Sequence, residues 1–311
     1  MAATYVRRLM TGVAVCWVTA CAADDPTAAT SESEAEIGSQ GYLALGDSIA
    51  FGFNPVAAAT APYAIGAFVG YPEVIPPPNA AVNAACPGET SASLIVATAQ
   101  DNGCHAWRMA GFAMHVDYTS LDQSQLQFSL AYLAAHPETR TVSVHIGVNE
   151  LRLLQSACNG AYPNDPNAAA QCIAAAARDT ITRVAQRVGY ILASIRQTGF
   201  TGKLIVVTYY ALDYSNPADV AFQGVVGLDR ALVQVAQTPG LTVNIARTFT
   251  PFAQIAATAG GDPCAAGLLY RLPDGTCDIH PSVLGRAVIA AAVVLAVPAS
   301  TIDLSSPNAR F

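Results

Sequence analysis

The chain has 311 residues, of which 52% are hydrophobic and only 12% charged, with a formal net charge of −7. Domains usually run to roughly 100 to 200 residues, so one large domain behind an N-terminal segment is the simplest organisation. Beyond Arg7-Arg8 there is no run of basic residues, which excludes the electrostatic footprint of nucleic-acid binding.

Residues 1–21 read as an export signal. Arg7 and Arg8 precede an apolar stretch, 9–20, that is too short to span a bilayer. The stretch ends Val18-Thr19-Ala20-Cys21. An apolar residue, two small ones and a cysteine are similar to the lipobox of bacterial lipoproteins, whose cysteine is acylated. Cys21 is therefore expected to attach an exported protein to a membrane; with a plain signal peptide the protein would be secreted. Residues 22–40, rich in Asp, Glu, Ser, Thr, Ala and Pro, read as a disordered linker. Residues 41–311 are the expected folded domain.

That domain opens on Tyr42-Leu43-Ala44-Leu45-Gly46-Asp47-Ser48, an apolar run of strand character ending in a glycine, an acid and a serine. Open α/β folds place their chemistry at such a strand end. A helix is expected over 62–68, and Pro76-Pro77-Pro78 would end any helix there. Asn83-Ala84-Ala85-Cys86-Pro87-Gly88-Glu89-Thr90 precedes a helical pattern over 91–100. Leucines at 121, 126, 130 and 133 mark a helix within 121–136. The β-branched run 141–146 ends in Gly147-Val148-Asn149-Glu150. The clearest helix spans 168–197, with Ile181, Val184, Val188, Ile191, Leu192 and Ile195 on one face and Gly199 as its stop. Strands follow at 204–210 and 241–246, with a helix at 219–237 between them. A final apolar helix is expected over 286–297, stopped by Pro298. Strands alternating with helices argue a parallel sheet covered on both faces.

Apart from Cys16 and Cys21, six cysteines remain: Cys86, Cys104, Cys158, Cys172, Cys264 and Cys277. None has the close spacing of a zinc pair, and an even number in an exported chain suggests disulfides. Spacing groups them as 86/104, 158/172 and 264/277. Each bond would close a local loop, worth roughly 3 kcal/mol in the chain-entropy model.

Gly46-Asp47-Ser48, Gly88, Gly147-Val148-Asn149 and Asp278-Ile279-His280-Pro281 stand in that order. Ester hydrolysis needs a nucleophile, a base within reach and donors aimed at the developing oxyanion. Ser48, His280, and Gly88 with Asn149 can fill those roles. The constellation resembles the SGNH (GDSL) hydrolase family over about residues 41–297. Asn-Ala-Ala-Cys-Pro-Gly-Glu-Thr-Ser is similar to the second block of secreted bacterial members, and His-Pro-Ser leading into a helix is similar to the last. The resemblance implies a flavodoxin-like three-layer α/β/α sandwich with about five parallel strands. It implies Ser48 as nucleophile, His280 as general base, and an oxyanion hole built from the Ser48 and Gly88 N–H groups and the Asn149 amide. The expected activity is cleavage of carboxylic esters, small-molecule or lipid, through an acyl-serine, without metal or organic cofactor and as a monomer. Phospholipase, acyltransferase or carbohydrate deacetylase chemistry would use the same site. No Gly-x-Ser-x-Gly elbow and no His-Glu-x-x-His motif occurs.

Two positions depart from the family pattern. Glu150 follows Asn149 where an aspartate is usual; with Asn149 intact, little catalytic consequence is expected. The acid usually three residues before the histidine is Cys277 here, and Asp278 lies two before. Asp278 is the expected partner of His280, with Asp274 or a backbone carbonyl as alternatives. This departure is the one feature that favours a non-catalytic surface-binding lipoprotein, and the intact Ser48, Gly88, Asn149 and His280 argue against that reading. His105, His115 and His136 read as surface or structural residues, and His145 as structural. Asp47 reads as a loop-fixing acid; Tyr209, Tyr210, Phe51 and Phe53 read as core or as the lining of an acyl pocket.

Overall fold

The computed structural model describes residues 41–60, 64–75 and 80–305. The expected signal segment, the linker and Cys21 lie outside them. In chain order the strands are β1 (Tyr42–Gly46), β2 (Ala81–Asn83), β3 (Thr141–His145), β4 (Lys203–Val207), β5 (Val243–Ala246), β6 (Leu269–Arg271), β7 (Cys277–Pro281) and β8 (Val297–Pro298). The helices are α1 (Ser48–Phe51), α2 (Ser91–Ile95), α3 (Cys104–Met109), α4 (Gln125–Ala135), α5 (Val148–Ala161), α6 (Pro166–Gln197), α7 (Val220–Ala236), α8 (Phe249–Ala256) and α9 (Val283–Val294). Single helical turns stand at Pro55–Ala58 and Tyr71–Val74.

The first five strands form one parallel sheet in the order β2-β1-β3-β4-β5, and β8 joins β5 antiparallel at the edge. This is the flavodoxin-like order, and the chain reverses its direction of travel across the sheet between β1 and β3. Every residue of β1 and of β3 is buried, which is why both read as unbroken strands rather than alternating ones. α5 and α7 pack on α6, while α9 packs on β5 and the Tyr71–Val74 turn. On α6 the expected stripe faces the core, with Val184, Val188, Ile191, Leu192 and Ile195 fully buried. Its stop is also as expected: Gly199 adopts φ +86°, a left-handed conformation suited to glycine. Among the described residues no helix is long and apolar enough to cross a membrane.

Several boundaries differ from expectation, each for a local reason. The sheet has a sixth strand because 297–298, expected as the end of a helix, pairs with β5. Pro298 lacks a backbone donor, which an edge strand tolerates. α9 starts at Val283 rather than at 286 because the Ser282 hydroxyl accepts the Gly285 N–H (3.2 Å). α2 ends at Ile95, short of 100, where the Thr90 hydroxyl donates to the Gln100 carbonyl (2.7 Å) and folds the segment back. α4 starts at Gln125 because Ser124 and Gln127 form a reciprocal cap. Of the helix expected over 62–68, a 3₁₀ turn at Ile65–Ala67 is present, and 61–63 lie outside the described residues. The disulfides pair Cys86–Cys104, Cys158–Cys172 and Cys264–Cys277, as the spacing predicts.

Candidate active site

β1 delivers Ser48 to the C-terminal edge of the sheet. Asp47 caps α1 by accepting the Ile49 N–H (2.9 Å), and its second oxygen accepts the Tyr209 hydroxyl (2.6 Å). Burial pushes its carboxyl up to about 7, against the hydrogen bonds from Tyr209 and Ile49. Asp47 therefore shapes the turn that presents the hydroxyl of the next residue, Ser48.

The β6–β7 hairpin carries the histidine. His280 Nε2 lies 2.8 Å from Ser48 Oγ. Its Nδ1 lies 2.5 Å from Asp278 Oδ1, and the same oxygen accepts the His280 backbone N–H (2.9 Å). A carboxylate two residues upstream on a strand points to the same face, so the shorter spacing brings Asp278 into line. Partial burial would raise the Asp278 carboxyl, but the hydrogen bond and charge of His280 hold it below the ordinary range. Asp274 is elsewhere, closing its own turn onto Thr276. Cys277, at the family's usual acid position, is bonded to Cys264. The Tyr210 hydroxyl donates to the Ile279 carbonyl (2.8 Å), and the Phe53 ring packs tilted against the His280 ring, centroids 4.7 Å apart.

Gly88 and Asn149 meet on the other side. Gly88 has φ +80°, and a Cβ there would come within 2.3 Å of the Asn102 carbonyl oxygen, so only glycine fits. Asn149 sits in the first turn of α5, and its Nδ2 donates to the Glu89 carbonyl (2.8 Å), leaving one N–H of that amide. The backbone N–H groups of Ser48 and Gly88 donate to no acceptor among the described residues. The Gly88 loop is tied to β1 by the Cys86 N–H on the Gly46 carbonyl (3.1 Å).

Two buried carboxylates hold this loop, and neither role was legible in the sequence. Glu89 Oε2 accepts from Gln125 Nε2 (2.6 Å), which also donates to the Gly46 carbonyl (2.8 Å). The Ser93 hydroxyl donates to Glu89 Oε1. Glu150, standing where an aspartate was expected, accepts the N–H (2.7 Å) and the hydroxyl of Ser91. The Gly88 loop is thereby fastened to α5, and Glu150 has a structural task. Cys86 and Cys104 lie beside Glu89, but their sulfurs are joined to each other and offer no thiolate to a metal.

Burial pushes Glu89 up to about 7. Between its ordinary 4.5 and about 7 the folded protein then holds a proton that the unfolded chain lacks, so stability falls as pH rises through that window. Glu89→Gln keeps an acceptor for Gln125 and removes the titration. Its thermal midpoint should fall less than that of the wild type across the same window. Equal slopes in a pH series of melting curves would assign the proton uptake to other buried acids such as Asp47.

Three other histidines have partners of their own. His145 is fully buried between the rings of Tyr71 and Tyr209, and burial pushes its pKa down to about 3, so it stays neutral. His115 contacts the Phe51 carbonyl and Glu73; His136 contacts Glu138 at the surface.

A mainly apolar cleft of about 150 Å³ is lined at one end by residues next in sequence to the serine and the histidine. It is bounded by Ile49 and Ile279, the neighbours of Ser48 and His280, and runs between Leu151, Tyr210, Phe222 and Val225. Tyr209 and Tyr210 thus belong to both the core and this lining, while Phe51 lies in the core.

A flavodoxin-like sheet with a linked serine, histidine and aspartate at its C-terminal edge defines an α/β protein equipped for proton transfer from a hydroxyl. No family model matches the chain, and no curated protein matches it in sequence. Among solved structures, an extracellular lipase of Streptomyces rimosus is similar at 17% identity, with 82% of this chain and 98% of that one aligned and a TM-score of 0.47. An acetylxylan esterase of Geobacillus stearothermophilus is similar at 16% identity, 82% and 93% coverage and a TM-score of 0.46. A phospholipase A1 of Streptomyces albidoflavus is similar at 17% identity, 82% and 98% coverage and a TM-score of 0.45.

Proposed function

We propose that this protein is a serine hydrolase that cleaves carboxylic esters with apolar acyl groups. The observation that carries the reading is the unbroken hydrogen-bonded line from Ser48 Oγ through the His280 ring to Asp278, beside the apolar cleft. In the first half-reaction His280 Nε2 takes the Ser48 proton as Oγ bonds to the ester carbonyl carbon. The N–H groups of Ser48 and Gly88 and the free Asn149 N–H receive the oxyanion. Asp278 holds Nδ1–H and stabilises the imidazolium. His280 then gives its proton to the departing alcohol. In the second half-reaction water loses a proton to His280, attacks the acyl-serine, and releases the acid while the proton returns to Ser48. All proton transfers run through this chain's own side chains.

The cleft supports a substrate class as well. An apolar cavity of about 150 Å³ holds a group the size of benzene, about six carbons. An acetyl group would leave most of it unfilled, which favours lipid-like or aliphatic esters over acetylated sugars. Hydrolysis of p-nitrophenyl esters from acetate to palmitate should peak near hexanoate; activity confined to acetate would overturn this assignment. Gly224 lines the cleft from α7, and a Cβ there would stand 3.5 Å from Leu151 Cδ1. Gly224→Leu should therefore lower kcat/KM for octanoate at least about 10-fold more than for acetate, as filling a pocket by a few methylenes does. Three disulfides fit an oxidising compartment, so the reading includes export, with Cys21 as the acylation point.

A further inference from the structure

The amide of Asn149 can serve an oxyanion only if an N–H, and not its carbonyl, faces the reacting carbon. Its two ends differ by a rotation that costs little by itself, so neighbours must choose between them. One neighbour is the Glu89 carbonyl, which requires Nδ2 (2.8 Å). The other is Asn102, whose Nδ2 donates to Asn149 Oδ1 at 2.9 Å. Asn102 also grips Gly88: its backbone N–H donates to the Gly88 carbonyl at 2.7 Å, and its own carbonyl fills the space a Gly88 side chain would need. One residue thus touches both loop-borne donors. Cys104, two residues on, is bonded to Cys86 at the head of the Gly88 loop.

Building on the hydrolase reading above, we infer that Asn102 is a positioning residue that sets the Asn149 amide and the Gly88 peptide in register for the oxyanion. Its side chain donates to the oxygen of an amide whose N–H serves the substrate, and such chained hydrogen bonds strengthen one another. Asn102 is exposed, so its substitution leaves the core untouched and separates positioning from folding.

The test uses Asn102→Ala and Asn102→Asp in the full chain, with p-nitrophenyl hexanoate as substrate. Asn102→Ala should lower kcat about 10-fold at unchanged KM, since the interaction is realised in the transition state. Asn102→Asp sets an acceptor against Asn149 Oδ1 and favours the flipped amide. Its loss should approach the roughly 10²-fold typical of a missing oxyanion donor. In both variants the affinity for a trifluoromethyl ketone, which forms a tetrahedral oxyanion on the serine, should fall by the same factor as kcat. Thermal midpoints should stay at the wild-type value. An active wild type with Asn102→Ala at wild-type kcat, or with ketone affinity unmoved while kcat falls, would overturn the inference alone. A wild type without turnover, and without labelling by a fluorophosphonate, would remove the hydrolase reading and this inference with it.

Discussion

Ser48→Ala should reduce turnover of p-nitrophenyl hexanoate by about 10⁶-fold, the loss seen when a nucleophile that works as one unit with its base is removed. Among the described residues the hydroxyl bonds only to His280 Nε2. Its removal leaves the Asp47 cap of α1, the Tyr209 contact and β1 in place, so the folded state should be retained. Rates with and without the hydroxyl, at matched melting temperature, decide the matter. A variant keeping a tenth of the activity would mean that another group attacks the ester, and the acyl-serine cycle would be wrong.

Asp278→Asn should lower kcat by about 10⁴-fold at nearly unchanged KM. One oxygen of Asp278 accepts both the backbone N–H and the ring Nδ1–H of its histidine. An amide nitrogen turned toward Nδ1 would force that atom to accept. The ring proton would then sit on Nε2, facing the serine hydroxyl instead of receiving its proton. The carboxylate matters to the fold as well. Its pKa is held below the ordinary 3.8, so the stability it contributes is full above that value and is lost as pH falls through the lower folded one. The amide of the variant carries no such titration, and steady-state kinetics beside acid denaturation would read both effects. Wild-type kcat in the variant would leave a backbone carbonyl as the orienting group, because Asp274 is committed to its own turn.

Much of this was legible in the sequence, and the rest was hidden for identifiable reasons. Strands buried on both faces announce themselves as apolar runs, so β1, β3, β4 and β5 and their order of appearance could be read directly. Ser48, Gly88, Asn149 and His280 stood out because each occupies a short motif at a strand or loop end. The direction of the Asp278 side chain could not be read, since it depends on a hairpin whose register no local pattern reveals. Asn102 and Gln125 were invisible for a different reason: each is an ordinary turn or helix residue whose partner lies 47 or 79 positions away. Glu89 and Glu150 carry no local signal of burial, yet both are almost fully buried. Tertiary contacts, not sequence spacing, give such groups their work.

The two ends of the sheet bear on how the molecule behaves in a crowd. A row of unpaired backbone donors and acceptors is a template on which a neighbour can add strands. Here β2 offers only three residues, and β8 only two, one of them Pro298 with no donor to give. Neither margin is long enough to seed growth, so many copies held close together can remain separate particles rather than merging into a continuous fibre.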